Sequence, residues 1–526
     1  MSWRTTRASA QTGEPAKHVA VIDLGSNSWR LVVFSYGSDG WWKRTDELYE
    51  SVRIAEGMGD TGRLQEPAIK RGLETLAVFE RFCRASRLAK DEVHAIATSA
   101  IRDATNRDEF LERAAGHSSF QIEVLSAEAE AHYGYVAAIN TSTLADGVIL
   151  DIGGGSLQLI EVAGRQERGV VSVPLGAVRM TERFLSDPGP ARKKDLQKLR
   201  AHVKDALSGV PWLTGGSQRR LVGTGGAVRN LAASAGHAAL GPSGGIDLGV
   251  QGYVLTRDVL KELVTKLAAL PAAARAEVEG IKPGRADIIL AAAVTLDTVL
   301  SLGGFDGIEA TEAGLRDGLF LARTLLTEEQ PLFENVREAA VRNLAIQYES
   351  DLRHTEHVAR LALQMHESLA ANQLITPEPG EAELLWAAGM LHDVGMTISY
   401  DDHHKHSRYL IVSAELPGFD PRERALIAQM TRYHRKGAPK LGPWAKLGRP
   451  GDGEMLDRCA LILRLAEHLE RGRDQSVSQA SLRTNGDGIA LHLHAAGDLT
   501  LPRWSVERYG DDEAFQKVFR RPLVIG

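Results

Sequence analysis

Residues 23–31 read DLGSNSWRL, and residues 151–159 read DIGGGSLQL. In each segment an aspartate ends an apolar run, and a turn of glycine and small hydroxylic residues leads into a second apolar run. The pattern predicts two strands joined by a glycine turn, at 18–23 and 29–35 in the first copy and at 147–151 and 157–162 in the second. A hairpin turn and a third strand are predicted after each copy, at 42–49 and 167–173.

The chain therefore contains a long internal repeat, whose second copy begins 128 residues after the first. Turn, hairpin and spacing agree between the copies, and a period this long indicates paired domains rather than a solenoid. Helices are predicted at 67–83, 107–115 and 127–138, and strands at 93–97 and 122–125. We interpret this region as a duplicated α/β domain, with its first part at 18–132 and its second at 133–325.

The two glycine turns are predicted to bind phosphate. Glycine lets the backbone approach a ligand closely, and consecutive N–H groups in such a turn form an anion-binding nest. The aspartate that leads each turn is a candidate Mg²⁺ ligand. One turn alone is weak support, but two facing copies favour a phosphate-binding cleft. The candidate residues are Asp23, Gly25, Ser26, Asn27, Ser28 and Arg30 in the first copy, and Asp151, Gly153, Gly154, Gly155 and Ser156 in the second.

A third glycine turn lies at residues 223–226 (GTGG), where strand, turn and helix are predicted in succession. Gly225 and Gly226 are candidate phosphate contacts, although the segment lacks the last glycine of a dinucleotide fingerprint and is weak by itself. The chain has no GxxxxGK[ST] segment, so it is not a P-loop protein.

Composition limits the class of protein. The chain has 526 residues, which suggests about three or four domains at roughly 150 residues each. Lys+Arg total 62 and Asp+Glu total 68, for a net charge of −6, and 43% of residues are hydrophobic. These values exclude intrinsic disorder and disfavour a uniformly basic nucleic-acid binder. We expect no nucleic-acid partner.

The two cysteines, Cys83 and Cys459, are far apart in the chain. A disulfide scaffold and a cysteine-based zinc ribbon are excluded, and two unpaired thiols suit a reducing compartment. Residues 1–17 contain no apolar core of a signal peptide, and no run of 18 apolar residues occurs. We expect a cytoplasmic protein without a membrane partner.

The sequence changes character near Thr327. Helices are predicted at 336–347, 354–374, 381–391, 422–433 and 456–471, which gives an all-α domain at 326–475. A small α/β module is predicted at 476–526, with strands at 489–494 and 499–504 and a helix at 511–519.

The motifs together resemble the exopolyphosphatase and guanosine pentaphosphate phosphohydrolase family, within the actin-like (ribonuclease H-like) superfamily. The matching segments are DLGSNSWRL at 23–31, ATSAIRDA at 97–104, SAEAEA at 126–131, LDIGGGS at 150–156, GTGGAVRNLA at 223–232 and GLRDG at 314–318, with later matches at 391–395 and 433–436. The resemblance implies two actin-like domains, Mg²⁺ as cofactor with K⁺ as a candidate activator, and a homodimer.

The resemblance also implies a catalytic base. The family places a glutamate in the segment that here reads SAEAEA, and Glu130 falls on the matching position, with Glu128 as the fallback. A carboxylate opposite the phosphate turns can take a proton from water that attacks the terminal phosphorus. Asp23 and Asp151 would act beside it, and Arg102 is a further candidate cation. Alternatively, Glu128 and Glu130 lie in the first turn of a helix only because negative charge there is stabilised by the helix dipole. The alternative role of Arg102 is an ion pair on the surface.

One departure from the family occurs after the second turn. The family usually continues Ser-Thr-Glu, whereas this chain has Ser156, Leu157 and Gln158. An amide can orient a water but cannot balance the charge of a metal. We expect lower activity or an altered metal requirement, with hydrolysis retained because Glu130 and Asp151 remain.

The all-α domain resembles the HD metal-phosphohydrolases. The implied ligands of a second divalent metal are His357, His392 and Asp393, with Glu467 at a position that is usually aspartate. His403, His404, His406 and His434 lie nearby in the sequence. The alternative is a vestigial module whose histidines serve helix packing or touch phosphate.

Seven cations also occur in this part of an otherwise acidic chain, and they predict a track for a long polyanion or, alternatively, an ordinary solvated helix face. They are Lys405, Arg408, Arg432, Arg435, Lys436, Lys440 and Lys446.

From the sequence we expect an exopolyphosphatase that removes terminal orthophosphate from inorganic polyphosphate. The nearest alternative is a guanosine pentaphosphate (pppGpp) 5′-phosphohydrolase. An actin-like kinase or ATPase is a second alternative, although no second substrate pocket can be named. A polyphosphate or nucleotide sensor with weak turnover is a third, which Gln158 makes conceivable.

Overall fold

The computed structural model describes residues 15–214, 219–241, 248–326, 329–510 and 512–525. Most of residues 1–17, the predicted boundary at Thr327 and the first residue of the helix predicted at 511–519 lie outside these ranges. The chain forms two compact units. We call residues 1–239 with 250–336 the sheet unit, and residues 240–249 with 337–526 the helical unit.

The sheet unit contains a first, five-stranded sheet in the order β3-β2-β1-β4-β5. Strands β1 to β3 form an antiparallel meander, and β4 and β5 continue the sheet in parallel. Its strands are β1 (Lys17–Leu24), β2 (Trp29–Tyr36), β3 (Trp42–Glu50), β4 (Val93–Ala97) and β5 (Ile122–Val124). The associated helices are α1 (Glu66–Ala85), α2 (Ser99–Arg102), α3 (Arg107–Ala115) and α4 (Ala127–Ile139).

A second, six-stranded sheet has the order β10-β11-β9-β6-β7-β8. Its strands are β6 (Gly147–Ile152), β7 (Leu157–Ala163), β8 (Gln166–Val173), β9 (Arg220–Thr224), β10 (Val254–Thr256) and β11 (Gly307–Ala310). The helices are α5 (Ala177–Phe184), α6 (Lys193–Leu207), α7 (Gly225–Leu240), α8 (Arg257–Ala268), α9 (Ile289–Gly303) and α10 (Leu315–Phe320). Five of its strands, β8-β7-β6-β9-β11, repeat the order of the first sheet, as the sequence repeat predicts; duplication itself stays a prediction.

This topology brings the glycine turns to one edge of each sheet. Strand β1 runs parallel to β4, with Asp23 beside Ile96, and β6 runs parallel to β9, with Asp151 beside Thr224. The carboxyl ends of parallel strands share an edge, and ligands bind there in open α/β sheets.

An apolar core holds the two sheets together within the sheet unit. It combines Phe34 of the first sheet and Ile160 of the second with apolar residues of α4 and α10. The ring of Phe34 stacks on that of Phe320, with centroids 4.2 Å apart. The Ser126 side chain caps α4 by accepting a hydrogen bond from Ala129 N at 3.1 Å, which fixes where this helix begins. These contacts set the position of the helix that carries Glu130.

The helical unit follows. Its helices are α11 (Val336–Gln347), α12 (Leu352–Ala371), α13 (Glu381–Leu391), α14 (His403–Ser413), α15 (Pro421–Tyr433), α16 (Asp452–Leu469), α17 (Thr500–Tyr509) and α18 (Asp512–Phe519). A three-stranded sheet contains β12 (Val477–Asn485), β13 (Gly488–Ala495) and β14 (Leu523–Ile525). Leu482, Leu491 and Phe515 belong to the same apolar core as the helices.

The structure differs from the prediction for residues 476–526 at two places. Residues 499–504 were predicted as a strand, but Thr500–Tyr509 is a helix. Asp498 accepts hydrogen bonds from the backbone and hydroxyl of Thr500, and Pro502 lies in the first turn, where no intrahelical N–H is needed. The strand Val477–Asn485, which pairs with β13, was not predicted.

Among the described helices, none combines the length and the apolar character that crossing a membrane requires.

Candidate active site

The glycine turns of the sheet unit surround a cleft whose cavity measures about 120 Å³. Its lining is strongly polar and comes from both sheets. The lining residues are Asp23, Gly25, Ser26, Asn27, Ser28, Arg30, Thr98, Ser99, Glu130, Asp151, Ile152, Gly153, Gly154, Ser156, Gly225, Gly226, Arg229, Arg285, Gly314, Leu315 and Arg316.

The first two turns lie directly against each other. A Cβ atom on Gly154 would lie 3.0 Å from Ser26 Cβ, and one on Gly155 would lie 2.6 Å from Ser99 Oγ. The hydroxyls of Ser26 and Ser99 are 3.0 Å apart. Only glycine permits this approach, so the close contact between the turns explains why the second turn is so rich in glycine.

The third turn closes the cleft beneath Asp151. Gly225 has φ = +90°, and a Cβ atom there would lie 2.8 Å from an Asp151 carboxylate oxygen. A Cβ on the next residue, Gly226, would overlap the Arg285 guanidinium. Helix α7 begins at Gly225. Its first N–H groups have no intrahelical partner, and a helix N-terminus of this kind favours anions.

Two largely buried carboxylates lie at the base of the cleft. Burial raises the pKa of Asp23, against the opposing effect of the Arg316 and Arg30 charges, and Arg316 Nη1 donates to Asp23 Oδ2 at 3.0 Å. Burial likewise raises the pKa of Asp151, and the nearby Asp23 carboxylate adds to this rise. Buried carboxylates with raised pKa values are unstable as anions unless a cation joins them. Their oxygen donors fit the preference of Mg²⁺.

Glu130 lies on α4 and faces the same cleft. Arg102 Nη1 donates to Glu130 Oε2 at 2.6 Å. Burial raises the pKa of Glu130 to about 7, although Arg102 and the Gln158 amide oppose the rise. A general base is most effective when its pKa is near the operating pH. Glu128, the fallback, is exposed, and it is not among the residues that line the cleft.

Four arginines reach the cleft, of which the sequence predicted only Arg30. The others are Arg229, Arg285 and Arg316. Burial lowers the pKa of Arg285 to about 10, and the charges of Arg229 and Arg30 lower it further. Burial and the Arg316 charge also lower the pKa of Arg229. Guanidinium groups that destabilise one another in this way form a ready site for a polyanion.

The structure brings most, but not all, of the predicted residues into the cleft. Arg102 was predicted to bind phosphate, but its side chain lies on Glu130 and on the carbonyl of Leu125. Gly155 faces Ser26 and Ser99 across the contact between the turns. The remaining predicted phosphate contacts and the three predicted catalytic residues line the cleft.

The missed arginines differ in how far the sequence signals them. Arg229 follows the third turn inside the GTGGAVRN segment, and Arg316 lies in GLRDG, so both occupy segments already singled out. Arg285 lies in a connection before α9 with no local pattern, and only the tertiary fold brings it to the cleft.

The helical unit contains a second group of chemical interest. His392 and Asp393 form one set of potential metal ligands with His354, and Asp393 forms another with His403 and His434. The prediction for His357 is therefore wrong: His357 Nε2 donates to the Val477 carbonyl at 2.9 Å, and its Nδ1 accepts from Arg360 at 2.7 Å. No lone pair of this ring remains for a metal.

A cavity of about 850 Å³ adjoins this group. Of the seven cations predicted to form a track, Arg435 and Lys436 line it. Others have separate partners: Lys405 pairs with Asp402, and Arg408 lies over the Trp444 ring.

Comparison with known proteins gives matches along most of the chain. Residues 43–327 match the Ppx/GppA phosphatase family, and residues 336–501 match Ppx/GppA phosphatase, domain III. A protein named guanosine-5′-triphosphate,3′-diphosphate pyrophosphatase from Vibrio vulnificus is 28% identical over 486 residues, covering 90% of this chain and 92% of that protein. A protein of the same name from Vibrio atlanticus is 27% identical over 496 residues, covering 92% and 93%.

Several solved structures are similar to the chain, and two of them serve as examples. The Aquifex aeolicus member of the Ppx/GppA protein family has a TM-score of 0.50 and 28% identity, over 60% of this chain and 100% of its own. An exopolyphosphatase from Cytophaga hutchinsonii has a TM-score of 0.54 and 23% identity, over 60% and 100%. The latter likeness concerns the fold alone.

Proposed function

The chain belongs to the Ppx/GppA phosphatase family, whose members hydrolyse phosphoanhydride bonds, and we propose that it removes the terminal phosphate of pppGpp. The observation that carries the chemistry is the cleft itself, where Glu130, with a pKa of about 7, faces a cradle of glycine turns and arginines. The sequence favoured inorganic polyphosphate instead. That substrate is the second candidate.

The chemistry follows from the positions of the residues. Glu130 takes a proton from a water molecule as its oxygen attacks the terminal phosphorus. The bond from that phosphorus to the bridging oxygen breaks, and the shortened nucleotide leaves with the bridging oxygen and its electron pair. The attacked phosphorus, now bonded to the water oxygen, is released as orthophosphate. The turn N–H groups and Arg30, Arg229 and Arg316 neutralise charge on the phosphate oxygens. Asp23 and Asp151 would hold Mg²⁺, which would neutralise further phosphate charge.

The choice of pppGpp rests on similarity and on one exposed ring. The relatives that match over nine-tenths of both chains carry the name of that substrate. Tyr49 has 42% of its surface exposed, and the Arg30 guanidinium lies over its ring at 4.9 Å. An exposed ring beside a phosphate cleft provides a surface on which a guanine base can stack.

Polyphosphate is favoured by the character of the cleft lining. Among the described residues that line the cavity, none is aromatic, and four are arginines. Such a lining recognises phosphate and needs no base. A linear polyphosphate end would satisfy it as well as a nucleotide end.

A test of the chemistry is orthophosphate release from pppGpp and from long-chain polyphosphate, each with Mg²⁺. We expect Glu130→Gln to lose release by about 100-fold or more while it still binds substrate, because it lacks the base. Glu128→Gln is the matched control, two residues away on the same helix and exposed. Equal activity of wild type and Glu130→Gln would refute the assignment of the base.

A test of the metal ligands uses Asp151→Asn. The amide keeps the shape of the side chain but removes its charge, so the Mg²⁺ concentration for half-maximal activity should rise about 10-fold or more. An unchanged Mg²⁺ dependence would show that Asp151 does not hold the ion.

Substrate preference is read from the ratio of kcat/KM for the two substrates, pppGpp and polyphosphate. Binding of both without turnover would favour the sensor.

A further inference from the structure

Five elements of the helical unit converge on a group of histidines and carboxylates, which are buried except for Glu467, whose side chain is 18% exposed. Each contributes one or two side chains near an end or on an inner face. The side chains are His354 from α12, His392 and Asp393 just after α13, His403 from α14, His434 just after α15 and Glu467 from α16.

The potential ligand atoms form two neighbouring groups that share one carboxylate. His354, His392 and Asp393 make the first, and Asp393, His403 and His434 make the second; within each, the ligand atoms lie within 4.8 Å of one another. Glu467 Oε2 lies 3.2 Å from Nε2 of both His354 and His392. Asp393 belongs to both groups and is therefore placed to bridge two ions, although its Oδ2 also accepts a hydrogen bond from Arg473 Nη2 at 2.7 Å.

Backbone contacts fix which nitrogen of three rings faces the group. The Nδ1 atom of His392 lies 2.7 Å from the Gly389 carbonyl. The Nδ1 atoms of His403 and His434 lie 2.9 Å and 2.7 Å from the carbonyls of Tyr400 and Thr431. A carbonyl only accepts, so each Nδ1 carries a proton, and when a ring is neutral its Nε2 lone pair faces the group. Metal-ligating histidines are held in this way.

Several of these atoms have no hydrogen-bond partner. They include Nε2 of His392, Oε2 of Glu467 and both ring nitrogens of His354: the carboxylate oxygen lies 3.2 Å from both Nε2 atoms but forms no hydrogen bond with either. The His354 side chain is only 1% exposed. In addition, the Nε2 atoms of His403 and His434 lie 3.2 Å apart, although neither carries a proton in the neutral form just described. Unpaired buried polar atoms are costly, and two facing lone pairs repel. A cation between them would relieve both.

We propose that the helical unit holds a dinuclear divalent-metal centre, bridged by Asp393, at the inner end of a cavity that takes a phosphate ester. His354, His392 and Glu467 would complete one site, and His403 and His434 the other. Imidazole and carboxylate donors without thiolate suit Mn²⁺, Fe²⁺, Co²⁺ or Zn²⁺. Three to four protein ligands per ion leave coordination positions open to the cavity.

The adjoining cavity supports the class of ligand. Asp393, His403, His434 and Glu467 form part of its wall, and its volume of about 850 Å³ falls in the range of small-molecule sites. The wall also contains six cations and the carboxylates of Asp401 and Asp402, and one of the cations, Arg473, pairs with Asp393. The cations are Arg435, Lys436, Arg464, Arg471, Arg473 and Arg508. Metal ions and guanidinium groups together select a phosphate-bearing molecule of nucleotide size.

The first test is metal content of the full-length chain, purified without chelator and reconstituted with Mn²⁺, Co²⁺ or Zn²⁺ in excess Mg²⁺, which keeps the cleft of the sheet unit occupied. We expect about two ions per chain. His354→Ala and His434→Ala should each lose about one ion, and Asp393→Ala both. The control is His492→Ala, an exposed histidine on β13, which should keep both. Wild-type protein that binds none of the three metals overturns the proposal, whether or not the variants fold.

The second test uses Co²⁺-loaded protein, whose visible spectrum reports directly on nitrogen ligands and open coordination positions. Addition of inorganic phosphate should change the spectrum. Lys436→Glu with Arg471→Glu should weaken that response about 10-fold or more while the metal content stays unchanged, because these cations line the cavity. If phosphate does not change the spectrum, the proposal that the cavity takes a phosphate ester is wrong. Glu130→Gln should leave both tests unaffected, so failure here is distinct from failure of the proposed cleft chemistry.

Discussion

Replacement of Arg102 by alanine should shift the pH dependence of hydrolysis without removing activity. Arg102 donates to Glu130 at 2.6 Å and lowers its pKa, in opposition to burial, which raises it to about 7. The ionised form of Glu130 is the base, so the rate of the wild type should rise with pH through about 7. Without Arg102, burial acts unopposed by that cation, and the pKa of Glu130 should rise further.

The size of the shift follows from the strength of the contact. A hydrogen bond to a charged group contributes about 1.5–3 kcal/mol, and one pKa unit corresponds to about 1.4 kcal/mol. The side chains of Arg102 and Glu130 are 18% and 12% exposed, so partial screening favours the lower end. We therefore expect a shift of about one unit, from about 7 to about 8. At pH 7 the ionised fraction falls from about one half to about one tenth, a loss of about 5-fold.

The assay is orthophosphate release as a function of pH, at saturating substrate and Mg²⁺. Arg102→Ala should lose about 5-fold at pH 7 and recover most of the wild-type rate above pH 9, where the base is ionised in both proteins. Arg107→Ala is the control, because Arg107 pairs with the exposed Asp108 rather than with Glu130. A uniform loss at every pH, with the inflection unmoved, would refute the idea that Arg102 acts through the pKa of Glu130.

Three further predictions concern the same cleft. Glu130 has a folded-state pKa of about 7 against an ordinary 4.5, so its burial destabilises the fold above pH 7 by about 3 kcal/mol and has no effect below about pH 4.5. Glu130→Gln should therefore melt at a higher temperature than wild type at pH 8, and the difference should vanish near pH 4.5. Gln158→Glu places a second carboxylate beside Glu130, so the inflection of the pH–rate profile should rise by about one unit or more; an unmoved inflection would show that residue 158 is electrostatically remote. Tyr49→Ala should raise KM for pppGpp about 5- to 150-fold and leave that for polyphosphate unchanged, because stacking of a base contributes about 1–3 kcal/mol; equal effects on both substrates would exclude base stacking there.

The local pattern of the sequence was sufficient for the turns of the cleft. Asp23 and Asp151 are each the next-to-last residue of a strand, and strand polarity alone determines which edge of a sheet they occupy. The sequence could not place Arg285, because its position depends on the packing of a connection far from the turns. It also misplaced Arg102, because spacing shows that a side chain can reach a cleft but not that a carboxylate will bind it first.

The error at His357 shows how one missed element affects a site. His354 and His357 lie three residues apart on one helix, so their spacing alone cannot decide which of them faces Asp393. In the structure His357 donates to Val477, the first residue of β12. That strand was not predicted, so the partner that occupies His357 was invisible in the sequence. The long-range contact between His357 and Val477, rather than the pattern of the helix, leaves His354 as the histidine that faces Asp393.

The electrostatics of the cleft argue that it is built for a complex rather than for its empty form. Burial raises the pKa of Asp23 and Asp151 and lowers that of Arg229 and Arg285, so both kinds of group are held away from their preferred charge states. Arg316 compensates Asp23 directly, but the cations also destabilise one another. The carboxylates need a cation as partner, and the guanidinium groups need an anion. A divalent cation on the carboxylates and a phosphate chain on the guanidinium groups would satisfy both at once, and neither alone would. Substrate and metal should therefore bind with positive coupling, each tightening the other, and independent binding of the two would contradict this account of the site.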